Sequence, residues 1–165
     1  MANVTVCGTA TATVQPDSVV LGLGLTHLAP DAAAALDEVA ARSARLATML
    51  ADHGLEPADW VTDGVNVAEE WDWRKEQRVL IGFRASSGVS ATVRTLDRVG
   101  EMIGAAVTDC GANVRDLSWR VDADNPARRA LLGEAAVDAR VRAEAYVAAL
   151  GVTLGGVESV SELPP

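Results

Sequence analysis

Two alternating runs, joined by a short charged stretch, most constrain what this chain can fold into. Apolar residues share one parity in the first run at Val61, Val65, Val67, Trp71 and Trp73, and in the second at Phe83, Ala85, Val89, Ala91 and Val93. A period of two is that of a β-strand with one face toward a core. Strands with a short connection pair antiparallel, so the pattern predicts a hairpin that buries Val65 and Val67.

The rest of the chain alternates between the strand period and the helix period. Strands are predicted at 4–14, 19–25, 112–121 and 155–162, and helices at about 30–54, 96–108 and 124–151. The turn sequence QPDS joins the first two strands into another hairpin. Gly22 and Gly24 lie on the face opposite the apolar residues of their strand, where they leave room for a close neighbour. The order β-β-α-β-β-α-β-α-β predicts an α+β fold, with a mixed or antiparallel sheet and helices packed on one face.

Length and charge limit the classes of protein that this chain can belong to. Its 165 residues predict one domain, with a core at about 4–162 and a tail at 163–165. A net charge of −9 argues against binding to nucleic acid or anionic lipid, since both need a basic surface. No apolar run approaches the roughly 18 residues of a membrane span.

The N-terminal sequence and the cysteines bear on the cellular compartment. The opening MANVTVCGTATATVQ lacks a basic region followed by an apolar one, so the sequence as given predicts a cytoplasmic location. The alternative is the periplasm or envelope, if a signal peptide has been removed. Cys7 and Cys110 stand in no metal or redox spacing, and both are predicted to be free thiols.

Residues that could carry chemistry are sparse and poorly grouped. His27 and His53 have no Glu or Cys at ligand spacing. Glu69 and Glu70 are adjacent, so they point to opposite faces of a strand and do not form a carboxylate pair. The glycines lack the setting of a phosphate loop. We therefore predict no catalytic residue, no metal site, no cofactor-binding residue and no cofactor.

Several segments together resemble the SIMPL-domain family. The segments are VTVCGTATATVQPDSVVLGLGL, GFRASSGVSATVR, CGAN, AVDARVRAEAYVAALGVTLGGV and the closing VSE. The family includes bacterial proteins that are usually exported and an animal protein associated with a signalling kinase. The resemblance implies an α+β domain, frequent self-assembly and no established enzymatic activity. It also implies fold-determining roles for Pro16, Asp17, Gly82, Arg84, Gly111 and Asn113, with Arg84 expected to pair with a carboxylate across the sheet.

Two functions from different classes are consistent with these observations. The first is a non-catalytic, self-associating module, a scaffold or stress-related interaction protein, whose interface contains Trp71 and Trp73. Both tryptophans lie just before the charged turn, where a sheet usually extends beyond its covering helices. Two alternatives remain for these residues: they continue the core, or they form a ligand-stacking site. The second function is a small-molecule-binding domain or enzyme, with a pocket between sheet and helices near Arg84 and the tryptophans. A deep pocket with convergent polar groups would favour the second.

Overall fold

The computed structural model describes residues 3–74 and 77–162, and it has an α+β fold. Within these ranges the strands are β1 (Ser18–Ala29), β2 (Trp60–Arg74), β3 (Gln77–Val93) and β4 (Asn113–Arg120). The helices are α1 (Ala32–Asp52), α2 (Val99–Cys110), which follows a 3-10 turn at Leu96–Arg98, and α3 (Pro126–Ala149). The predicted fold class is confirmed.

The chain divides into two compact units. Residues 16–122 form one unit, which we call the sheet unit, and the described residues 3–15 and 123–162 belong to the other, the α3 unit. The sequence-based assignment of residues 1–165 to a single domain stays a prediction.

The sheet unit is built on one antiparallel sheet with the order β2-β3-β1-β4. The long hairpin β2–β3 is present as predicted, and β1 pairs with both β3 and β4. Each strand therefore runs opposite to its neighbour. The antiparallel sheet and the order of elements from β1 to α3 follow the prediction.

One face of this sheet carries the core, and we call it the helix-side face. Leu21, Leu23 and Leu25 of β1 are buried there against α1 and α2. The β3 residues that pair with β1 contribute Ala85, Val89, Ala91 and Val93 to the same face. The opposite face, which we call the far face, carries Gly22 and Gly24. The core thus lies between the two central strands and two helices.

Helix ends follow local sequence signals. Asp31 caps α1, since its Oδ1 accepts a hydrogen bond from the Ala34 amide at 2.9 Å. Gly111 ends α2 with a φ of 65°, a backbone conformation that glycine adopts without a steric penalty. Asn125 caps α3, and Pro126 occupies its first turn. These termini agree with the predicted boundaries to within a few residues.

Residues 4–14 and 155–162, predicted as the first and last strands, carry no strand assignment in the described part of the chain. The predicted hairpin of 4–14 with β1 meets a geometric obstacle, because β3 and β4 already occupy both sides of β1. In the α3 unit, α3 instead holds this segment. The Thr9 amide donates to Asp138 at 2.9 Å, and Arg142 donates to the Thr9 hydroxyl at 3.3 Å.

A small-residue contact also shapes the α3 unit. A Cβ placed on Gly8 would lie 1.8 Å from the carbonyl oxygen of Ala135, so only glycine allows this approach to α3. Ala143 and Val147 of α3 are buried, whereas Leu132 and Leu150 are exposed. None of the helices in the described ranges has the length and apolarity that a membrane span requires.

Candidate association surface on the hairpin arm

The end of the β2–β3 hairpin extends beyond the rest of the sheet. Pairing of β3 with β1 stops at Phe83, which lies opposite Ala29. From there the hairpin continues as two strands that pair only with each other among the described residues, 70–74 of β2 and 77–82 of β3. We call these two segments the arm. Lys75 and Glu76, which follow Arg74 in the sequence, lie outside the described residues.

Both predicted interface residues lie on this arm. The side chain of Trp73 is 74% exposed and that of Trp71 is 38% exposed. Leu80 lies opposite Trp71 and Arg78 lies opposite Trp73, and directly opposed residues in an antiparallel pair share a face. These residues form an apolar face with two indole rings and a leucine, and the positively charged Arg78 lies at its end.

The Trp71 ring is held at its position by two polar contacts. The guanidinium carbon of Arg78 lies 4.6 Å from the ring centroid, which is the geometry of a cation–π contact. The indole Nε1 donates to Glu69 Oε2 at 3.2 Å. Trp71 is thus oriented on the surface before any partner arrives, which lowers the entropy cost of binding.

A β-bulge at the base of the arm adds further apolar surface. The register shifts between Glu70 and Trp71, where Ile81 is the extra residue of β3. Val79, Leu80 and Ile81 are consecutive and all exposed, so the arm carries apolar side chains on both of its faces. Gly82, beside the bulge, has a φ of 148°, and a Cβ there would lie 2.4 Å from the carbonyl oxygen of Ala29.

An ion pair fixes the base of the arm. Arg84 donates from Nε and Nη2 to the two carboxylate oxygens of Glu70, both at 3.0 Å. These hydrogen bonds lower the pKa of Glu70 below its ordinary value and raise the pKa of Arg84. A bidentate pair of this kind is directional and holds the two strands in register. The expected partner of Arg84, a carboxylate across the sheet, is therefore confirmed.

Two expectations for β2 are wrong. Val65 and Val67, predicted to be buried, are 61% and 36% exposed, because α1 packs mainly on β1 and β3 and makes only slight contact with β2. Val61 lies on the far face rather than beside Val65, because a bulge between Thr62 and Val65 reverses the alternation. A bulge of this type has no clear signal in the apolar pattern, although Gly64 with its φ of 88° marks the position.

The far face holds an ion pair that the sequence analysis missed. Arg115 of β4 donates to Asp63 of β2, so the pair crosses over the two central strands. A Cβ on Gly88 would approach both side chains within 2.4 to 2.7 Å, and one on Gly24 would lie 3.1 Å from Arg115. The glycines thus make room for this bridge. The alternate spacing of Gly22 and Gly24 indicates that something packs closely on this face, but it does not identify Asp63 and Arg115 as the residues that do so.

The described residues offer little that resembles a deep ligand pocket. A cleft of about 160 Å³ lies where His53, Thr92, Arg94 and Arg98 meet, far along β3 from Arg84 and the arm. A larger depression of about 390 Å³ along Arg142, Tyr146 and Ala149 of α3 is wide open to solvent, so it would bury little of a ligand. Pockets for drug-sized ligands occupy roughly 300 to 1,000 Å³. In the same part of the chain, no three His, Cys, Asp or Glu side chains are grouped to hold a metal ion.

The two cysteines have different surroundings. Cys7 is exposed and Cys110 is buried, and neither forms a disulfide. Burial raises the pKa of the Cys110 thiol, because the charged thiolate is disfavoured away from water. Cys110 is therefore a packing residue of α2.

These features define a class of protein: an α+β domain whose most distinctive surface is an exposed arm. The family model for SIMPL, described as a protein of unknown function (DUF541), matches residues 4–165. The chain belongs to the SIMPL family.

Relatives of this chain lie among bacterial proteins. It is 29% identical over 159 residues to the uncharacterized protein YggE of Edwardsiella ictaluri, covering 96% of the chain and 66% of that relative. It is 25% identical to the uncharacterized protein YggE of Escherichia coli K12, covering 99% of the chain and 68% of the relative. The chain thus spans about two thirds of the length of these relatives.

Proposed function

We propose that this chain is a non-catalytic, self-associating interaction module, and that the arm with Trp71 and Trp73 forms the contact. The observation that carries the proposal is the exposure of these two indole rings on a hairpin that projects past its sheet. Large aromatic side chains are rarely left in water without a use, and contiguous apolar patches tend to mark interfaces.

The chemistry of the arm supports a protein partner. Trp and Arg are enriched among the residues that dominate binding energy, and Trp71, Trp73 and Arg78 lie together on one face. Glu69, Asp72 and Gln77 provide polar groups around the apolar side chains, which is the usual anatomy of an interface.

The shape of the arm argues against a ligand-stacking site. A ligand pocket is concave and buries most of its ligand. The arm is a two-stranded ribbon, and both of its faces carry exposed side chains. A ribbon with exposed side chains on both faces suits a large partner surface.

The test is the double change Trp71→Ser with Trp73→Ser, measured by sedimentation velocity and thermal melting. We expect the wild-type chain to sediment as an assembly and the variant to sediment as a folded particle of lower mass. The matched control is Tyr146→Ser, which removes an aromatic side chain of similar exposure from α3 and is expected to leave the mass unchanged.

Two outcomes would contradict the proposal. A wild-type chain that remains monomeric at high concentration would show that it does not self-associate. An unchanged mass with a large fall in melting temperature would assign both tryptophans to the core.

A further inference from the structure

We infer that the arms of two copies pack face to face and antiparallel about a two-fold axis, so that Arg78 of each copy meets Glu69 of the other. The inference rests on the proposed function and names its partner, which is the same face of the same arm in a second copy. It follows from the order of charged and apolar residues along that face and from the contacts that its two charged residues make.

One face of the arm changes from acidic to basic along its length. Alternation along β2 places Glu69, directly before the arm, on the same face as Trp71 and Trp73. Arg78 lies opposite Trp73 on this face, at the end farther from the rest of the sheet. The levels of Glu69 and Arg78 are therefore about 14 Å apart along β2. We call the face with these four residues and Leu80 the tryptophan face.

The two charges of the tryptophan face form no ion pair with any other described residue. Arg78 contacts the Trp71 ring through its guanidinium group, and the carboxylate of Glu69 accepts a hydrogen bond from the Trp71 indole N–H. The neighbouring Glu70 points to the opposite face, where it is already paired with Arg84. The charges that the contact uses are thus available to a partner.

A two-fold axis makes the tryptophan face complementary to itself. When two arms lie face to face and antiparallel, the acidic end of each lies over the basic end of the other. Arg78 then meets Glu69 of the second copy, and the reciprocal pair forms at the same time. A parallel arrangement would place like charges on each other, which is destabilising. An isologous contact of this kind closes at two copies.

Apolar side chains fill the centre of the same contact. Trp71 and Leu80 lie opposite each other between the two charged ends, and both are exposed. Near the axis they meet their counterparts in the second copy, and removal of this apolar surface from water favours the contact. Desolvation also strengthens the contact of Arg78 with the Trp71 ring, because a cation–π contact is worth more away from water.

The size of the tryptophan face determines how strongly the copies associate. The exposed parts of Trp71 and Trp73 together correspond to about one whole indole side chain, and burial of an aromatic side chain removes ~150 to 250 Å² from water. Even with Leu80 and both copies included, the area stays below the roughly 1,200 Å² of a stable interface. We therefore expect a reversible dimer that forms as the protein concentration rises.

The experiment exchanges the two charges. Arg78→Glu sets acidic residues against each other in the dimer, and Glu69→Arg sets arginines against each other. Sedimentation equilibrium over a range of concentrations is expected to show each single variant as a monomer. The chain that carries both changes is expected to dimerise again, because the order of its charges is reversed and the face is again complementary to itself. This recovery distinguishes loss of the contact from damage to the arm.

Mixing the two single variants tests whether the charges meet across the contact. The face with Arg78→Glu carries two acidic residues, and the face with Glu69→Arg carries two arginines. The mixture is therefore expected to give a 1:1 dimer that grows no further, although neither variant dimerises alone.

The matched pair Leu80→Ser and Val79→Ser tests which face of the arm is used. These neighbours are 41% and 39% exposed, but they lie on opposite faces. Leu80→Ser is expected to weaken the dimer by roughly tenfold, since an apolar side chain is lost from each copy. Val79→Ser is the control and is expected to dimerise like the wild type.

Three results would overturn the inference. Full assembly of Arg78→Glu would remove this geometry and leave the proposed function standing. A double variant and a mixture that both stay monomeric would show that the two charges do not meet. Equal effects of Leu80→Ser and Val79→Ser would show that the tryptophan face is not the contact. A wild-type chain that stays monomeric would instead end the proposed function, and this inference with it.

Discussion

The central strands and the outer strands of the sheet have similar sequence patterns and opposite surroundings. Leu23 of β1 and Val67 of β2 both lie on the helix-side face, in strands of alternating residues. Leu23 is fully buried, whereas Val67 is 36% exposed, and Trp119 of β4 on the same face is 56% exposed. The comparison teaches that alternation indicates which face a residue occupies, and that the covering helices decide whether the residue is buried.

The widths of the elements explain the difference. An α-helix with its side chains is about 10 Å across, and neighbouring strands lie about 4.8 Å apart. One helix therefore covers about two strands. Because α1 packs mainly on β1 and β3 and α2 makes only slight contact with β4, the two outer strands are covered much less than the central pair.

The largest expected effect separates a central strand from an outer one. Leu23→Ala is expected to lower the free energy of unfolding by about 2 to 5 kcal/mol, because it leaves a cavity in a closed core. Val67→Ala, made in the Trp71→Ser, Trp73→Ser background so that association does not contribute, is expected to cost less than about 1 kcal/mol. Urea unfolding measures both. Equal losses would show that β2 is as well covered as β1.

A second comparison concerns two glycines of the hairpin with positive φ. Gly82→Ala is expected to cost about 1 to 3 kcal/mol from the backbone conformation alone, and the overlap with the Ala29 carbonyl adds to that cost. Gly64→Ala is the matched control, because its φ is 88° and no atom lies within 4 Å of the added Cβ. Chemical unfolding that ranks Gly64→Ala as the more damaging change would mean that the arm base is not in close contact with β1.

The smallest expected effect is electrostatic. Since Arg84 lowers the pKa of Glu70, the pair stabilises the fold above the ordinary pKa of 4.5, and this contribution is lost as pH falls through the lowered value. Thermal melts should rank Glu70→Gln slightly below the wild type at pH 7, with the difference gone at low pH. Glu134→Gln, a neutralised exposed carboxylate on α3, is the control. A difference that stays constant at low pH would point to a packing role for Glu70.

Local patterns predicted the parts of the fold that local physics controls. The β2–β3 hairpin, the helices and the stop at Gly111 depend on neighbouring residues, and each was predicted at nearly its observed position. The position of Trp71 and Trp73 at the end of the hairpin followed from the same pattern. Their role in association stays a prediction.

Other features depend on residues that are distant along the chain. Residues 4–14 alternate as a strand does, but the pattern does not show that β4 takes the place beside β1. The ion pair of Asp63 with Arg115 joins residues 52 positions apart, and no periodicity links them. The exposure of Val65 depends on the width of the helix layer, which the sequence of β2 does not contain.

The hydrogen bonds of Asp17 bear on how the sheet unit can be joined to other proteins. The Asp17 amide donates to the Arg120 carbonyl at 2.8 Å, and the Asp17 carboxylate accepts from the Asp122 amide at 2.7 Å. The two ends of the sheet unit therefore lie side by side, and these two hydrogen bonds hold them together. A segment whose two ends meet in this way has the geometry of a cassette, because joining it to a surface loop of a host protein would stretch neither junction.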